Sequence, residues 1–135
     1  MAYKTLIVDD EPLARQHLEH LLQHYKNEIE IVGQASDGEE TLQFSKTNTV
    51  ELIFLDIQMP GMTGLELPER LPQTPLIIFT TAYDQYALKA FEENAIDYLL
   101  KPIEMVRLEK AIRKLQRLTR HQQKDFRETI HRVLN

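Results

Sequence analysis

The 135-residue sequence contains no cysteine. That excludes a disulfide framework and any thiolate metal site. No run approaches the roughly 18 consecutive apolar residues that a membrane-spanning helix needs. The start, Met1-Ala2-Tyr3-Lys4, leads into a strand without the pattern of a signal peptide. The cytoplasm, with no membrane partner, is the compartment these absences point to. Positive charge is also scarce over most of the chain. Residues 1–106 carry 7 basic and 18 acidic side chains, a balance of −11, whereas residues 107–135 carry 9 and 3, a balance of +6. An acidic body argues against nucleic-acid binding by this part of the chain, and the basic end reads first as a solvated helix face. With 42% hydrophobic and 27% charged residues, the composition is that of one globular domain with a real core.

What is present is a strict alternation. Thr5-Leu6-Ile7-Val8, Glu30 to Ala35, Leu52-Ile53-Phe54-Leu55, Leu76-Ile77-Ile78-Phe79 and Ile96 to Leu100 read as five strands. Their short unbroken apolar runs suit strands covered on both faces. Between and after them fall five predicted helices. The first begins near Pro12 and places Ala14, Leu18, Leu21, Leu22 and Tyr25 on one stripe. The second begins near Glu39, with Leu42 and Phe44 as its main apolar contacts. A short third follows Gly64 and must take Pro68 in its first turn or kink. The fourth turns Ala87, Ala90 and Phe91 inward, and the fifth starts near Glu104 and buries Leu108, Ala111, Ile112, Leu115 and Leu118. Strand–helix alternation of this kind predicts an α/β domain whose parallel sheet carries helices on both faces. Residues 1–118 form that domain. Residues 119–135, where the apolar repeat lapses before Phe126, Ile130 and Val133, read as a linker or an extension of the fifth helix.

In such open sheets ligands bind at the carboxyl ends of the strands. Those ends deliver Asp9 and Asp10, Asp56, Thr81 and Lys101. Three carboxylates within a few ångströms repel one another by roughly several kcal/mol at protein-like screening. A hard divalent cation relieves that repulsion, and an oxygen-only set with no cysteine and no nearby histidine favours Mg2+. With metal on Asp10 and Asp56, and Asp9 acting through water, one Asp56 oxygen stays free as a nucleophile toward phosphorus. Lys101 could then neutralise phosphoryl oxygens while Thr81 donates a hydrogen bond to one of them.

These residues together resemble a family. The Asp9-Asp10 pair, Asp56 followed by Met59-Pro60-Gly61 and Gly64, Thr81-Ala82 and Lys101-Pro102 are similar to the signature of response-regulator receiver domains. The resemblance covers residues 1 to about 118. It implies a flavodoxin-like (CheY-like) fold of strand order 2-1-3-4-5, phosphorylation of Asp56 by a sensor histidine kinase, and a metal ligand in the backbone carbonyl of Gln58. Tyr98 is implied as a switch side chain alongside Thr81. The segments from Thr80 to Phe91 and from Asp97 to Pro102 are most similar to receivers of the LytTR class. That class implies a DNA-binding output domain and control of transcription. The chain stops at Asn135, so DNA contact is expected only through an output domain not in this chain, unless the receiver acts by protein contacts alone.

An enzyme reading competes with this one. A haloacid-dehalogenase-type phosphatase also uses a strand-end aspartate, magnesium, a threonine and a lysine, but it needs an acid two residues beyond the nucleophile. Gln58 occupies that position, and a receiver that catalyses only its own modification is the better reading. Gln58 and Tyr83, each two residues past a site residue, border the path of the attacking water and are expected to set the phosphoryl lifetime. His17, His20 and His24 share a stripe that flanks the leucines rather than a cleft, and read as solvated. Lys89, Glu92 and Glu93 beside Lys110, Arg113, Lys114 and Arg117 form an acidic and a basic helix edge. Such edges are self-complementary about a two-fold axis, which predicts a homodimer on phosphorylation.

Overall fold

A computed structural model describes residues 2–84 and 95–134, with side chains described except at 121–126 and 134. Five strands, β1 (Tyr3–Val8), β2 (Ile29–Ala35), β3 (Leu52–Asp56), β4 (Leu76–Thr81) and β5 (Asp97–Leu100), form one sheet of order β2-β1-β3-β4-β5. Every pairing is parallel. β3 lies in the middle and is buried along its whole length. Its side chains alternate between faces, as the two-residue period of a strand requires. Leu52 and Phe54 enter one core with Ile7 and Ile78, while Ile53 and Leu55 enter the other with Leu6, Val8, Ile77 and Phe79. A strand covered on both sides cannot alternate apolar with polar, which is why these segments appear as unbroken apolar runs.

Helix α1 (Pro12–Leu22) carries Pro12 in its first turn and buries Leu18, Leu21 and Leu22, leaving Ala14 and Tyr25 half-buried. His17, His20 and His24 are exposed as expected, though a ring nitrogen of His17 reaches the Ile103 carbonyl at 2.8 Å. A 3-10 turn over Gln23–Tyr25 continues the helix. Helix α2 (Gly38–Thr47) lies on the opposite face and is capped by Asp37, whose carboxylate accepts the Glu40 N–H at 2.8 Å. Its inward positions are Gly38, Thr41 and Ser45, with Leu42 and Phe44 half-buried beside them. Leu42 and Phe44 supply the helix's apolar contacts as expected, packing against the core on this face. Small residues let α2 approach closely, and a Cβ at Gly38 would already meet Met62 Sδ at 3.1 Å.

The predicted third helix is a single 3-10 turn, Leu67–Arg70, with Pro68 in its first turn. Too few residues follow the proline to close an α-helical repeat before Leu71 turns extended. The predicted fourth helix, with Ala87, Lys89, Ala90, Phe91, Glu92 and Glu93, lies outside the described residues. The last helix, α3, runs unbroken from Met105 to Leu134. Leu108, Ala111, Ile112 and Leu115 are buried against the sheet on the α1 side. Leu118, expected to be buried, is only half so. By that turn α3 has reached the amino edge of the sheet, where Tyr3 at the start of β1 shares a hydrogen bond with Thr119 through their hydroxyls.

Candidate functional site

The carboxyl edge of β1, β3, β4 and β5 brings the predicted residues together. Asp56 ends β3 and is almost fully buried, and Asp9 follows β1 and is also buried. Lys101 follows β5 and joins them, its Nζ lying 2.6 Å from Asp9 Oδ2 and 3.5 Å from Asp56 Oδ2. The loop that delivers Lys101 is fixed by its backbone. The Lys101 N–H donates to the Thr81 carbonyl at 2.7 Å, and the Lys101–Pro102 peptide is cis.

The two carboxylates are held differently. Both oxygens of Asp9 are engaged, Oδ2 by Lys101 and Oδ1 by the Glu11 N–H at 2.9 Å. Asp56 accepts the Gln58 N–H on Oδ1 at 3.2 Å. Burial pushes the Asp56 carboxyl up to about 7 against the opposing pull of Lys101, with negative Asp9 adding to the rise, the Gln58 N–H countering it and the hydrogen-bonded Asp10 reinforcing it. Lys101 moves the other way. Although burial works against its charge, the hydrogen bond to Asp9 and the fields of Asp56 and Asp9 hold the ammonium above its ordinary range. The site therefore concentrates negative charge in a dry setting that one ammonium only partly compensates.

Beneath Asp56 the turn is tight. The Gly64 N–H donates to the Ile57 carbonyl at 2.9 Å, and a Cβ on Gly64 would fall 2.2 Å from the Asp56 carbonyl oxygen. Only glycine allows that approach. Gly61, three residues earlier, adopts φ of 79°, a left-handed conformation that glycine takes without penalty.

Thr81 is fully buried at the end of β4, and its hydroxyl oxygen accepts the Tyr83 N–H at 3.0 Å. Tyr83 itself is half exposed. Tyr98 does not point into the site. Its hydroxyl donates to Asp84 at 3.1 Å, in the loop that follows Thr81. Its backbone carbonyl accepts from Arg107 at 3.1 Å.

Three residues near the site escaped the sequence reading. Glu11 is one, since the carboxylates of Asp9, Asp10 and Glu11 are close enough to share an ion. Its adjacency to the aspartate pair was the available signal. Arg15, one turn into α1, donates to the Asp9 carbonyl at 2.6 Å. Arg107 grips buried Asp97 through two hydrogen bonds of 2.6 and 2.9 Å, with Lys114 also 3.1 Å from that carboxylate. No sequence signal announces a pair formed across a strand and a helix. The oxygen-only donor set and its excess of buried negative charge fit a hard divalent cation of the magnesium type.

The family model for the response regulator receiver domain matches residues 5–113. The chain is 51% identical over 115 residues to the transcriptional regulatory protein BtsR of Salmonella typhimurium, covering 84% of this chain and 48% of that protein. It is 44% identical over 131 residues to the sensory transduction protein LytR of Staphylococcus haemolyticus, covering 95% and 49%. The chain thus spans about half the length of these relatives. The solved response regulatory domain of mrkE from Klebsiella pneumoniae superposes with a TM-score of 0.75 at 38% identity, over 87% of this chain and 97% of that one.

Proposed function

The chain belongs to the response-regulator receiver family, and on that premise we propose that Asp56 accepts a phosphoryl group from a phosphohistidine of a sensor kinase. The observation that supports this most directly is the placement of Asp56. It is a buried carboxylate at the end of the central strand, with an ammonium 3.5 Å from one oxygen. A carboxylate oxygen of Asp56 attacks phosphorus in line. The new P–O bond forms as the P–N bond breaks, and the electron pair leaves with the imidazole nitrogen, which is then protonated. Lys101 stays with the phosphoryl oxygens through the transfer, and the Thr81 hydroxyl turns its proton toward one of them.

Asp10, Asp56 and the Gln58 carbonyl would hold Mg2+, with Asp9 acting through water. When bound, the metal supplies charge neutralisation at the phosphoryl oxygens. Asp9 suits the indirect role because Lys101 and Glu11 already occupy its oxygens. Hydrolysis of the acyl phosphate by water restores Asp56, so the chain turns over its own modification and no external substrate.

The phosphoryl group adds about −1.5 to −2 charge. It draws Thr81 and Lys101 inward and reshapes the face formed by the expected fourth helix, which lies outside the described residues, β5 and α3, with Tyr98 as the side chain that reports the change. In the longer protein this controls a LytTR-type DNA-binding output and hence transcription, in the cytoplasm and as a homodimer when phosphorylated. Among the described residues no helix is long and apolar enough to cross a membrane.

The test is intact mass after incubation with acetyl phosphate, with and without magnesium. The chain should gain one phosphoryl group only with magnesium, and Asp56→Asn should gain none. Asp10→Asn should keep its fold and lose magnesium binding by titration calorimetry. A phosphoryl gain by Asp56→Asn would sink the assignment.

A further inference from the structure

Charge is unevenly spread on this molecule: α3 is basic along much of its length, while acids lie at both edges of the sheet, with Glu28, Glu30 and Glu51 at the amino edge. Asp9, Asp10, Glu11, Asp37, Glu39 and Asp56 all lie at the carboxyl edge of the sheet or in the loops and first turns that follow it. α3 leads away from that edge. It starts just after Lys101 and reaches the amino edge at Thr119, which bonds to Tyr3. Along it Lys110, Arg113, Arg117, Arg120 and Arg127 recur at spacings of three, four, three and seven residues, and all five are exposed. At 3.6 residues per turn these positions make one stripe, about 26 Å long at 1.5 Å per residue.

The stripe borders a groove. A cavity of about 770 Å³ separates Lys110, Arg113, Arg117 and Arg120 from Tyr25 and Glu28 of the α1–β2 connection. Of its acidic residues, Glu109 pairs with Arg113 at 3.3 Å, whereas Glu28 accepts from the neutral amide of Gln116 at 3.1 Å. Among the described residues Lys110, Arg117 and Arg120 form no ion pair. Three cations without an ion pair at a groove wall, set against Glu28 and the already paired Glu109, leave a net positive surface for a polyanion.

We infer that this stripe of α3 rests on the phosphodiester backbone of duplex DNA. The inference rests on the reading of the chain as the receiver half of a transcription regulator. It goes beyond that reading by giving this half its own sequence-independent contact. The net charge of −5 opposes such a contact only on average. Residues 107–135 carry 9 basic and 3 acidic side chains, and it is the field of that local excess that meets the duplex. A 26 Å stripe can reach three to four phosphates of one strand before the duplex curves away. Each neutralised phosphate adds about −0.9 to the dependence of log K on log salt.

The experiment is fluorescence anisotropy of the unphosphorylated 135-residue chain with a labelled 30-base-pair duplex of arbitrary sequence, titrated with potassium chloride. Binding should be weak, detectable at low salt and lost near physiological salt, with a slope of about −3. Arg120→Glu with Arg127→Glu should weaken it at least tenfold and flatten the slope. The charge-matched pair Lys46→Glu with Arg70→Glu, on other surfaces, should leave the slope unchanged. Equal weakening by both pairs would reduce the effect to net charge and overturn the site. Absence of binding at low salt would overturn the proposal outright. Tight binding of polyglutamate without binding of the duplex would assign the groove to an acidic protein instead. Asp56 is unmodified throughout, so failure here leaves the phosphoryl assignment to its own mass measurement.

Discussion

Lys101 sits nearer to Asp9 than to Asp56, at 2.6 Å against 3.5 Å. The ammonium therefore satisfies the first aspartate more fully than the second, and the nucleophile keeps a carboxyl that burial has raised to about 7. A raised carboxyl pKa means that the native state binds this proton more tightly than the unfolded chain does. Stability should fall as pH rises from about 4 to about 7 in magnesium-free buffer. Asp56→Asn removes the effect. At pH 8 without metal it should be more stable than the parent by on the order of a few kcal/mol, since each tenfold gain in proton affinity corresponds to about 1.4 kcal/mol. Urea unfolding at pH 5 and pH 8 checks this, and equal gains at both pH values would contradict it.

Gly64→Ala should misplace the nucleophile. Its Cβ would collide with the Asp56 carbonyl oxygen, a backbone atom that can yield only by moving β3. Overpacking of this kind costs roughly 1–3 kcal/mol, and the rate of phosphorylation by acetyl phosphate should fall by about tenfold or more. Gly61→Ala is the control. It strains φ but meets nothing within 4 Å, so it should cost only about 1–2 kcal/mol and leave the rate nearly unchanged.

Asp97 gives the opposite pH dependence. Burial would raise its carboxyl, but hydrogen bonds from Arg107, the Tyr98 N–H and Lys114 outweigh it and hold it below the ordinary range. Its stabilisation is present above the unfolded carboxylate pKa and disappears as pH drops through the lower, native value. Arg107→Ala should cost roughly 2–3 kcal/mol at neutral pH. That is below the usual figure for a broken buried pair, because the guanidinium is partly exposed and Lys114 remains. The cost should shrink in acid, and a pH-independent loss would point to packing instead.

Tyr83 is half exposed beside the Thr81 hydroxyl, which its backbone N–H already holds. Tyr83→Ala keeps that hydrogen bond and removes the ring from the water path. The phosphorylated form should then decay several-fold faster, followed as loss of the phosphoryl mass. An unchanged or slower decay rules the ring out as the obstruction.

Dimerisation through the basic edge of α3 has fewer free cations than its sequence suggests. Lys114 is committed to Asp97 and Arg113 to Glu109, while Glu92 and Glu93 lie outside the described residues. With a beryllofluoride mimic bound, sedimentation should still show stronger association. Arg113→Glu with Arg117→Glu should remove that gain, whereas the more distal Arg120→Glu with Arg127→Glu should not. A chain that stays monomeric with the mimic at every concentration excludes this output.

The sheet and the residues along its edge were legible in the order of the amino acids. β3 could be read because a strand buried on both faces must be apolar throughout, so Leu52 to Leu55 admitted one assignment. Asp9, Asp56, Thr81 and Lys101 could be read because strand ends are ordered along the chain, and parallel order sends all of them to one edge. Whatever depends on distance between elements waited for the packed molecule. Packing buried Gly38, Thr41 and Ser45 of α2 most deeply, beside the Leu42 and Phe44 that meet the core. It paired Asp97 with Arg107 and Lys114, and Arg15 with the Asp9 carbonyl, contacts that no local periodicity encodes. It also laid the basic helix across the molecule from the carboxyl edge of the sheet to the amino edge. Composition can count charges, but only the course of α3 from Lys101 to Tyr3 fixes which surface each sign occupies.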